Sequence, residues 1–591
     1  MTLNHQLTTL AKQAMWSLYQ VELENEIQIQ PTKKEFQGTH TLLVFPLIKF
    51  SKKSPEVTCN EIGEWLKNEA SMVEDYQVVK GFLNLSLKKE TWAKALLDNL
   101  SKKDLNLTPK HVKVMVEFSS PNTNKPLHLG HLRNNFLGFS VSEILKAVGY
   151  DVVKANLIND RGIHICKSML AYQKFGNGES PESSGLKGDH FVGKYYVEFD
   201  KALKAKATEM KESGASDEEI EKKNPLMLEA QEMLRKWEAN DSETVALWKK
   251  MNQWVYDGFE KSYQRMGVSF DKYYYESDTY LLGKNLVKEG LDRGIFFKKD
   301  DGSVWIDLSN EGLDQKLVMR ADGTSVYITQ DMGTADLKHQ DFGIEKSIYV
   351  VGNEQDYHFV VLKHIMKKLE RSYAEGIYHL SYGMVDLPSG KMKSREGTVV
   401  DADELMDEVV SECAKYTKES GKADDLPEQE AKQLFETLGI GALKYYLLKV
   451  DPKKRMMFNP QESIDLQGHT GPYIQYTHAR IKSILRKTEI DFKHFEASAM
   501  GALSFSEKAL IQLIDEYAER LTKAAHDYDP SSIANYVYEL SKLFNTFYNE
   551  SQILKEENED IKKFRLALSY LTSSIIKHAM GLLGISVPER M

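Results

Sequence analysis

Residues 111–158 admit few architectures. The segment His111-Val-Lys-Val-Met-Val-Glu-Phe118 is an almost unbroken apolar run, the pattern of a strand buried in a parallel sheet. After a loop, Leu129, Leu132, Phe136, Leu137, Ile144, Leu145 and Val148 recur at helical spacing up to a stop at Gly149. Asp151-Val-Val-Lys-Ala-Asn-Leu-Ile158 then predicts a second strand. Two such strands joined through a helix form a β–loop–α–β unit. The chain is therefore expected to contain an α/β body, with ligands gathering beyond the carboxyl ends of its strands.

The residues that open the predicted helix carry chemistry. His128 and His131 are three apart, so both imidazoles lie on one face of the first turn. Free backbone N–H groups and the helix dipole favour an anion there. Gly130, between them, lets a flat ring or a phosphate approach the backbone. Together these suit a nucleoside triphosphate, although alone they more often mark a helix start with two solvated or core-satisfied histidines.

The wider context separates the two readings. FSSPNTNKPLHLGHLRNN resembles the HIGH signature of class I aminoacyl-tRNA synthetases, and in this extended form that of the arginyl enzymes. The resemblance continues through NLINDRG, TQD, NEQDYH, GKMKSREG and GHTGPYIQYTHAR, from about residue 110 to the C-terminus. It implies a multidomain α/β fold: a Rossmann-like parallel-sheet catalytic domain, an N-terminal α+β domain and a C-terminal all-α bundle. It also implies ATP-dependent activation of L-arginine and transfer to the 3′-terminal ribose of tRNA(Arg), at the 2′-OH in this class, with tRNA bound before activation.

By resemblance, His128, Gly130 and His131 bind ATP, as do Gly383, Met384 and Val385. Lys391, Met392 and Ser394 belong to a mobile loop similar to KMSKS, flanked by Gly390 and Gly397. There the sequence departs from the family, because Lys393, Ser394 and Arg395 stand where Ser, Lys and Ser would fall. Lys393 and Arg395 are candidates to replace the missing second lysine, and so is Lys125, just upstream of the histidines. A guanidinium demands planar bidentate carboxylates. Glu276, Tyr327, Asp331 and Gln355 match the family's contacts to the arginine side chain, and Asn122 and Asn156 those near its backbone. A further departure is Arg161 in Asn-Asp-Arg-Gly, where relatives carry an aromatic residue.

At 591 residues the chain suggests about four domains. Residues 1–108 mix an amphipathic helix over Leu7–Val21 with strands at His40–Phe45 and Phe82–Leu87; the resemblance gives them a tRNA contact. Residues 109–400 are the catalytic body, interrupted at about 187–250 by a charged helical insertion with a capping box at Ser216–Glu219. Its Lys/Glu-rich helix reads as a solvated face. Hairpin turns are expected at Asp301-Gly302 and Asp322-Gly323, the second returning as a strand over Ser325–Thr329. Ser347–Val351 reads as another buried strand. Residues 401–470 are helical, opening on a cap at Asp401. Residues 471–591 form a bundle of helices at Ile474–Arg486, Glu507–Ala525, Ser531–Leu554 and Lys563–Leu583, resembling the DALR-type anticodon-binding domain.

The net charge of −10 leaves nucleic-acid binding to local basic groups such as Lys453-Lys454-Arg455 and Arg480, Lys482, Arg486 and Lys487. Three widely separated cysteines exclude a CxxC zinc knuckle and fit a reducing cytosol. No apolar run reaches the ~18 residues of a membrane span. A soluble, cytoplasmic monomer is expected, without a protein metal cluster, and with Mg2+ held on the phosphates of ATP. The rival readings are a synthetase of the same class for another amino acid and a non-catalytic tRNA-binding paralogue. The GHTGPYIQYTHAR run speaks against the first, and the retained histidine pair and lysine loop against the second.

Overall fold

The computed structural model describes all residues except 1, 26, 34, 103, 388–399, 420, 422–425, 490 and 492–500. The chain begins with α1 (Leu3–Tyr19), followed by β1 (Ile29–Pro31), β2 (His40–Leu43), α2 (Pro55–Glu69), β3 (Val73–Val79), β4 (Phe82–Leu87) and α3 (Lys89–Ser101). The strands make an antiparallel sheet in the order β1-β2-β4-β3, and α1 buries Leu3, Leu7, Ala11, Ala14 and Met15.

Next come β5 (Lys113–Glu117), α4 (Leu129–Ala147), β6 (Asp151–Ile158) and α5 (Ile163–Phe175). The insertion is four helices: α6 (Gly188–Glu212), α7 (Asp217–Lys223), α8 (Pro225–Glu238) and α9 (Ser242–Met266). It ends later than the sequence suggests, because α9 runs 25 residues without a break to Met266. The expected Ser216–Glu219 capping box opens α7. The chain then returns through β7 (Lys272–Tyr275), the single turn α10 (Glu276–Thr279) and α11 (Gly283–Asp292). A small antiparallel sheet of β8 (Phe296–Lys298), β9 (Val304–Ile306) and β10 (Lys316–Met319) precedes α12 (Tyr327–Phe342), β11 (Lys346–Gly352), α13 (Asp356–Lys368), β12 (Ile377–Tyr382) and β13 (Val385–Asp386).

Five strands form one parallel sheet in the order β12-β11-β5-β6-β7. The order runs outward in both directions from the β5–β11 boundary, so the topological switch lies there, where open α/β sheets bind ligands. The helix that follows β5 is α4, whose first turn carries the two histidines. Its sides are buried almost all round, Arg133, Asn134 and Asn135 included.

One expected strand is a helix. Ser325 makes only an isolated bridge with Met319, and the chain turns helical at Tyr327. Val-Tyr-Ile-Thr has strong β propensity, yet Ile328, Thr329, Met332 and Gly333 bury one helical face against α11. Thr329 Oγ1 accepts from Val326 N–H and donates to the Val318 carbonyl, tying the helix start to β10. Packing overrides propensity here. The same helix carries Lys338, whose ammonium, with its side chain 2% exposed, lies 2.5 Å from Glu117 at the carboxyl end of β5.

The remainder is helical apart from β14. α14 (Ala402–Glu419) and α15 (Glu428–Leu448) pack together, and β14 (Met456–Met457) pairs in parallel with β13. Then follow α16 (Gly471–Arg486), α17 (Phe505–Asp515), α18 (Tyr517–Asp527), α19 (Pro530–Glu550) and α20 (Glu559–Leu582). The helix expected over Glu507–Ala525 is two helices that meet at Glu516. The N-terminal part touches this bundle: Asp515 accepts from Leu3 N–H at 2.6 Å and from Asn99 Nδ2 at 3.3 Å.

Breaking the buried Lys338–Glu117 pair leaves a lone buried charge, which costs about 3–5 kcal/mol. Lys338→Met is expected to lower the first thermal unfolding transition by several degrees, and adding Glu117→Gln should recover most of the loss. Differential scanning calorimetry of both variants checks this.

Candidate active site

His128 is the N-cap of α4, with extended backbone (φ −137°, ψ 174°). Its Nδ1 accepts from Gly130 N–H at 3.1 Å, and its own backbone N–H donates to His131 Nδ1, also at 3.1 Å. The two imidazoles thus form a reciprocal capping box, a role usually filled by Ser or Thr with Glu or Gln. Each Nδ1 is an acceptor, which puts the proton of the neutral ring on Nε2. Burial, with Lys125 nearby, pushes His128 down to about 4, and burial with the neighbouring His128 holds His131 well below its ordinary value. The rings lie 3.9 Å apart, centroid to centroid. At neutral pH they are two uncharged Nε2–H donors at the positive end of a helix. A β-carbon on Gly130 would stand 2.9 Å from His128 Cε1, so the glycine protects the histidine's own geometry.

Strained backbone delivers the segment before the helix. Ser119 and Ser120 have φ of 76° and 44°, which costs about 1–3 kcal/mol each for non-glycine residues. Ser119 N–H donates to Asn134 Oδ1 and Ser120 N–H to Asn156 Oδ1, while Ser119 Oγ meets Tyr263 OH at 2.7 Å. The chain then runs beside the end of β6, with Thr123 N–H on the Asn159 carbonyl and Asn159 N–H on the Pro121 carbonyl. Asn156 is fully buried and also donates to Tyr263 OH at 3.2 Å, so its side chain holds this kink. Asn122 is exposed on the same segment. Lys125 is half-buried and, among the described residues, has no carboxylate partner. Its charge depresses His128, His131 and His164 alike.

Arg133, one turn into α4, is completely buried. It donates to the Gly383 carbonyl at 2.7 Å and to the Asp451 and Pro452 carbonyls at 3.3 and 3.2 Å. Gly383 is a glycine because the backbone of Lys454 and Arg455 lies within 2.6 Å of where a β-carbon would be. Met384 is 54% exposed and Val385 buried, so Arg133 links the histidine helix to the strand end expected to hold ATP. Lys391, Met392, Lys393 and Ser394 lie outside the described residues. Val400, just after them, accepts from Leu129 N–H at 3.2 Å, and Ala402 N–H donates to the Leu127 carbonyl at 3.0 Å.

Asp401, at this crossing, caps α14 as expected, accepting from the Asp403 and Glu404 backbone N–H groups. It also meets His190 Nε2 of α6 at 2.8 Å. Burial opposes the charge on His190, yet Asp189 and Asp401 push it up to about 10. Asp189, His190 and Asp403 offer three ligand atoms within 4.8 Å of one another, a grouping invisible in the sequence spacing. The Lys187 ammonium is paired with both Asp189 and Asp403, so a lysine fills the cationic role there.

The acids converge from three elements. Asp160, 1% exposed, accepts from Ser277 N–H at 2.9 Å, Ser277 Oγ at 2.7 Å and Tyr256 OH at 3.0 Å. Burial raises it despite these bonds. Glu276 opens α10, and burial raises it too, opposed by Arg161 and reinforced by the charges of Asp160 and Asp331. Asp331 begins the second turn of α12 and meets His358 Nε2 at 2.6 Å. Tyr327 is 80% exposed at the start of that helix, and Gln355 is exposed just past β11. Glu276, reached by the charges of the other two acids, and Asp160, ringed by neutral donors, make a setting that suits a planar cation. Sequence reading selected Glu276 and Asp331 but missed Asp160; the buried-strand run ending at Ile158 and the following turn were the available signal.

The Lys/Glu-rich helix that follows the capping box, α7, buries none of its residues, as expected of a solvated face, whereas α9 of the same insertion packs against Asp160. Trp248 Nε1 and Asn252 Nδ2 of α9 donate to the Asp160 carbonyl at 2.7 and 3.0 Å, and Tyr256 of the same helix reaches its carboxylate. Only the outward face of α9 is charged and exposed, and a charge count cannot tell one face from the other.

Known proteins resemble this chain over its whole length. The family model described as "tRNA synthetases class I (R), catalytic domain" matches residues 93–459, and that of the "DALR anticodon binding domain" residues 474–591. Curated proteins named arginine–tRNA ligase are 54% identical in Amoebophilus asiaticus, over 96% of both chains, and 53% identical in Porphyromonas gingivalis, over the full length of both. Among solved structures, Thermus thermophilus arginyl-tRNA synthetase superposes with a TM-score of 0.80 at 24% identity, covering both chains fully. The Plasmodium falciparum arginyl-tRNA synthetase does so at 0.77 and 20%, covering 100% and 99%.

Gly130→Ala is expected to leave the melting temperature nearly unchanged, since the ~1 kcal/mol that Ala gains over Gly in a helix offsets the ~1 kcal/mol lost with the His128 cap. It should cut the activation rate about 10- to 100-fold by displacing the His128 ring. Pyrophosphate exchange set beside a thermal melt separates the two effects.

Proposed function

As a member of the class I arginyl-tRNA synthetase family the chain is an arginine–tRNA ligase, and we propose that the cleft beyond β5, β6 and β11 performs both of its steps. The observation that carries this reading is the pair of neutral Nε2–H donors at the N-terminus of α4, at the sheet's switch point.

In the first step a carboxylate oxygen of L-arginine attacks the α-phosphorus of ATP. The α–β bridging P–O bond breaks and pyrophosphate leaves. Such transfers are accelerated by positioning and by stabilising charge on the phosphoryl oxygens. His128 and His131 donate from Nε2, and being uncharged they need no proton change between pH 6 and 8. Lys125 adds a positive charge without a described carboxylate to neutralise it. Lys391, in the segment between Leu387 and Val400, pairs with the departing pyrophosphate, with Lys393, Met392 and Ser394 beside it. Gly383, Met384 and Val385 line the nucleotide's base side. Mg2+ would come with ATP and neutralise its phosphates; Asp401, the acid whose field reaches His128, is engaged by His190 and by the α14 cap.

The substrate guanidinium faces Glu276 and Asp331, with Tyr327 and Gln355 at the mouth and Asn122 near the amino-acid backbone. Asn156 supports this contact from behind through Ser120. In the second step a hydroxyl of the terminal tRNA ribose attacks the arginyl carbonyl carbon and AMP departs. Residues 474–591 are placed on the anticodon side and the N-terminal sheet on the outer corner of tRNA(Arg), with the chain acting as a monomer.

Glu276→Gln is expected to raise the arginine KM about 50-fold, the loss of one charge-assisted hydrogen bond, with the ATP KM within twofold. Equal changes in both would oppose the assignment. Lys125→Ala is expected to slow adenylate formation about 100-fold in a single-turnover assay. An unchanged rate would remove Lys125 from the phosphate site.

A further inference from the structure

Arg161 lies next to Asp160 in the turn after β6, and the reaction scheme leaves it unused. Its guanidinium carbon lies 3.9 Å over the Tyr280 ring and 5.3 Å from that of Trp237, and its Nη2 meets Glu238 at 2.9 Å. Its side chain is 12% exposed, while that of Glu238 is 47% exposed on α8 of the insertion. Arg161 Nε is buried and has no partner. A protein guanidinium is therefore caged beside acids that suit a substrate guanidinium.

Bare Coulomb repulsion makes a second cation here a cost to arginine binding, unless it acts on the acids themselves. Ser277, next to Glu276, holds Asp160 through its N–H and Oγ, and Tyr280, whose N–H donates to the Glu276 carbonyl at 3.0 Å, carries Arg161 on its ring; Asp331 of α12, with His358 of α13 behind it, adds a further charge that reaches Glu276. Burial and neighbouring carboxylates favour the protonated form of a carboxyl group, and a nearby cation opposes them. Arg161 opposes the effect of burial and of the other two acids on Glu276.

We propose that Arg161 is a charge-positioning residue of the arginine pocket: its caged guanidinium keeps Glu276 available as a carboxylate, and Glu238 of the helical insertion tethers it so that the substrate, not Arg161, takes that carboxylate. The proposal rests on the assignment of Glu276 to the arginine side chain. The cage geometry supports it, since the two rings fix the plane of the guanidinium and Glu238 draws it toward the insertion. The insertion thereby communicates with amino-acid affinity through one ion pair.

The test is the arginine KM in aminoacylation from pH 8 to pH 6, with the ATP KM and melting temperature measured alongside. Wild type and Arg161→Lys should vary little across this range. Without the positive charge, Glu276 takes up a proton as pH falls, so Arg161→Gln should show the arginine KM rising about tenfold between pH 8 and 6 while the ATP KM holds. Glu238→Gln, at an exposed helix position, should raise the arginine KM several-fold at every pH, because the freed Arg161 turns onto Glu276. A folded Arg161→Gln enzyme with the wild-type profile overturns the proposal. If that variant does not fold, a Glu238→Gln enzyme with unchanged arginine KM overturns it. Glu276→Gln is the control: no effect on the arginine KM would remove the pocket assignment itself, whereas a large effect with a flat Arg161→Gln profile rejects only the role of Arg161.

Discussion

The rest of the site depends on how one helix satisfies its first turn. A helix N-terminus leaves backbone N–H groups without partners, and α4 is too deeply buried for water to supply them all. His128 and His131 supply two acceptors through Nδ1. The same bonds set the tautomer and leave the Nε2–H edges out of the cap, while burial keeps the rings uncharged. Structural need and chemical use are met by opposite edges of the same two rings. Gly130 follows from this, since any side chain there presses on the ring that caps its own N–H. So does the strained Ser119-Ser120 kink, which brings the chain across the strand ends to the helix start and is held by Asn134 and Asn156.

From that helix the constraint spreads along two buried polar routes. Arg133 joins α4 to Gly383 and to the 451–452 loop, so the histidines and the expected nucleotide strand move as one body. Its guanidinium is buried against carbonyls alone, which pulls its affinity for the proton down to about 10 yet leaves it charged at neutral pH. On the other side, the crossing of Val400–Ala402 over Leu127–Leu129 is secured by Asp401 and His190, which brings the insertion helix α6 to the base of the histidine turn. Through Arg161 and Asp160 the helices α8 and α9 also touch the acidic cluster. The insertion is thus part of both halves of the site.

Much of this was legible in the sequence because it rests on local pattern. The β5–α4–β6 unit, the Asp401 cap and the Ser216–Glu219 box follow from hydrophobic period and capping residues within a few positions. The histidine pair was placed correctly on one helical face, yet its capping role was hidden, because histidine is not among the usual N-cap residues. Tyr327 was misplaced on a strand because Val-Tyr-Ile-Thr is β-prone, and the packing against α11 that overrides this comes from residues more than thirty positions away. Asp160 escaped notice for a related reason. A single aspartate in a turn reads as a turn former, and only the arrival of Tyr256 and Ser277, about 100 residues later, shows that it is buried.

The central claim is that both imidazoles are neutral with the proton on Nε2. Nitrogen-15 NMR of histidine-labelled protein, assigned with single His128→Gln and His131→Gln variants, tests it directly. The account predicts a pyridine-type Nδ1 and a pyrrole-type Nε2 for both residues from pH 8 down to about 5. An imidazolium signature at pH 7, or a proton on Nδ1 of either ring, would contradict it.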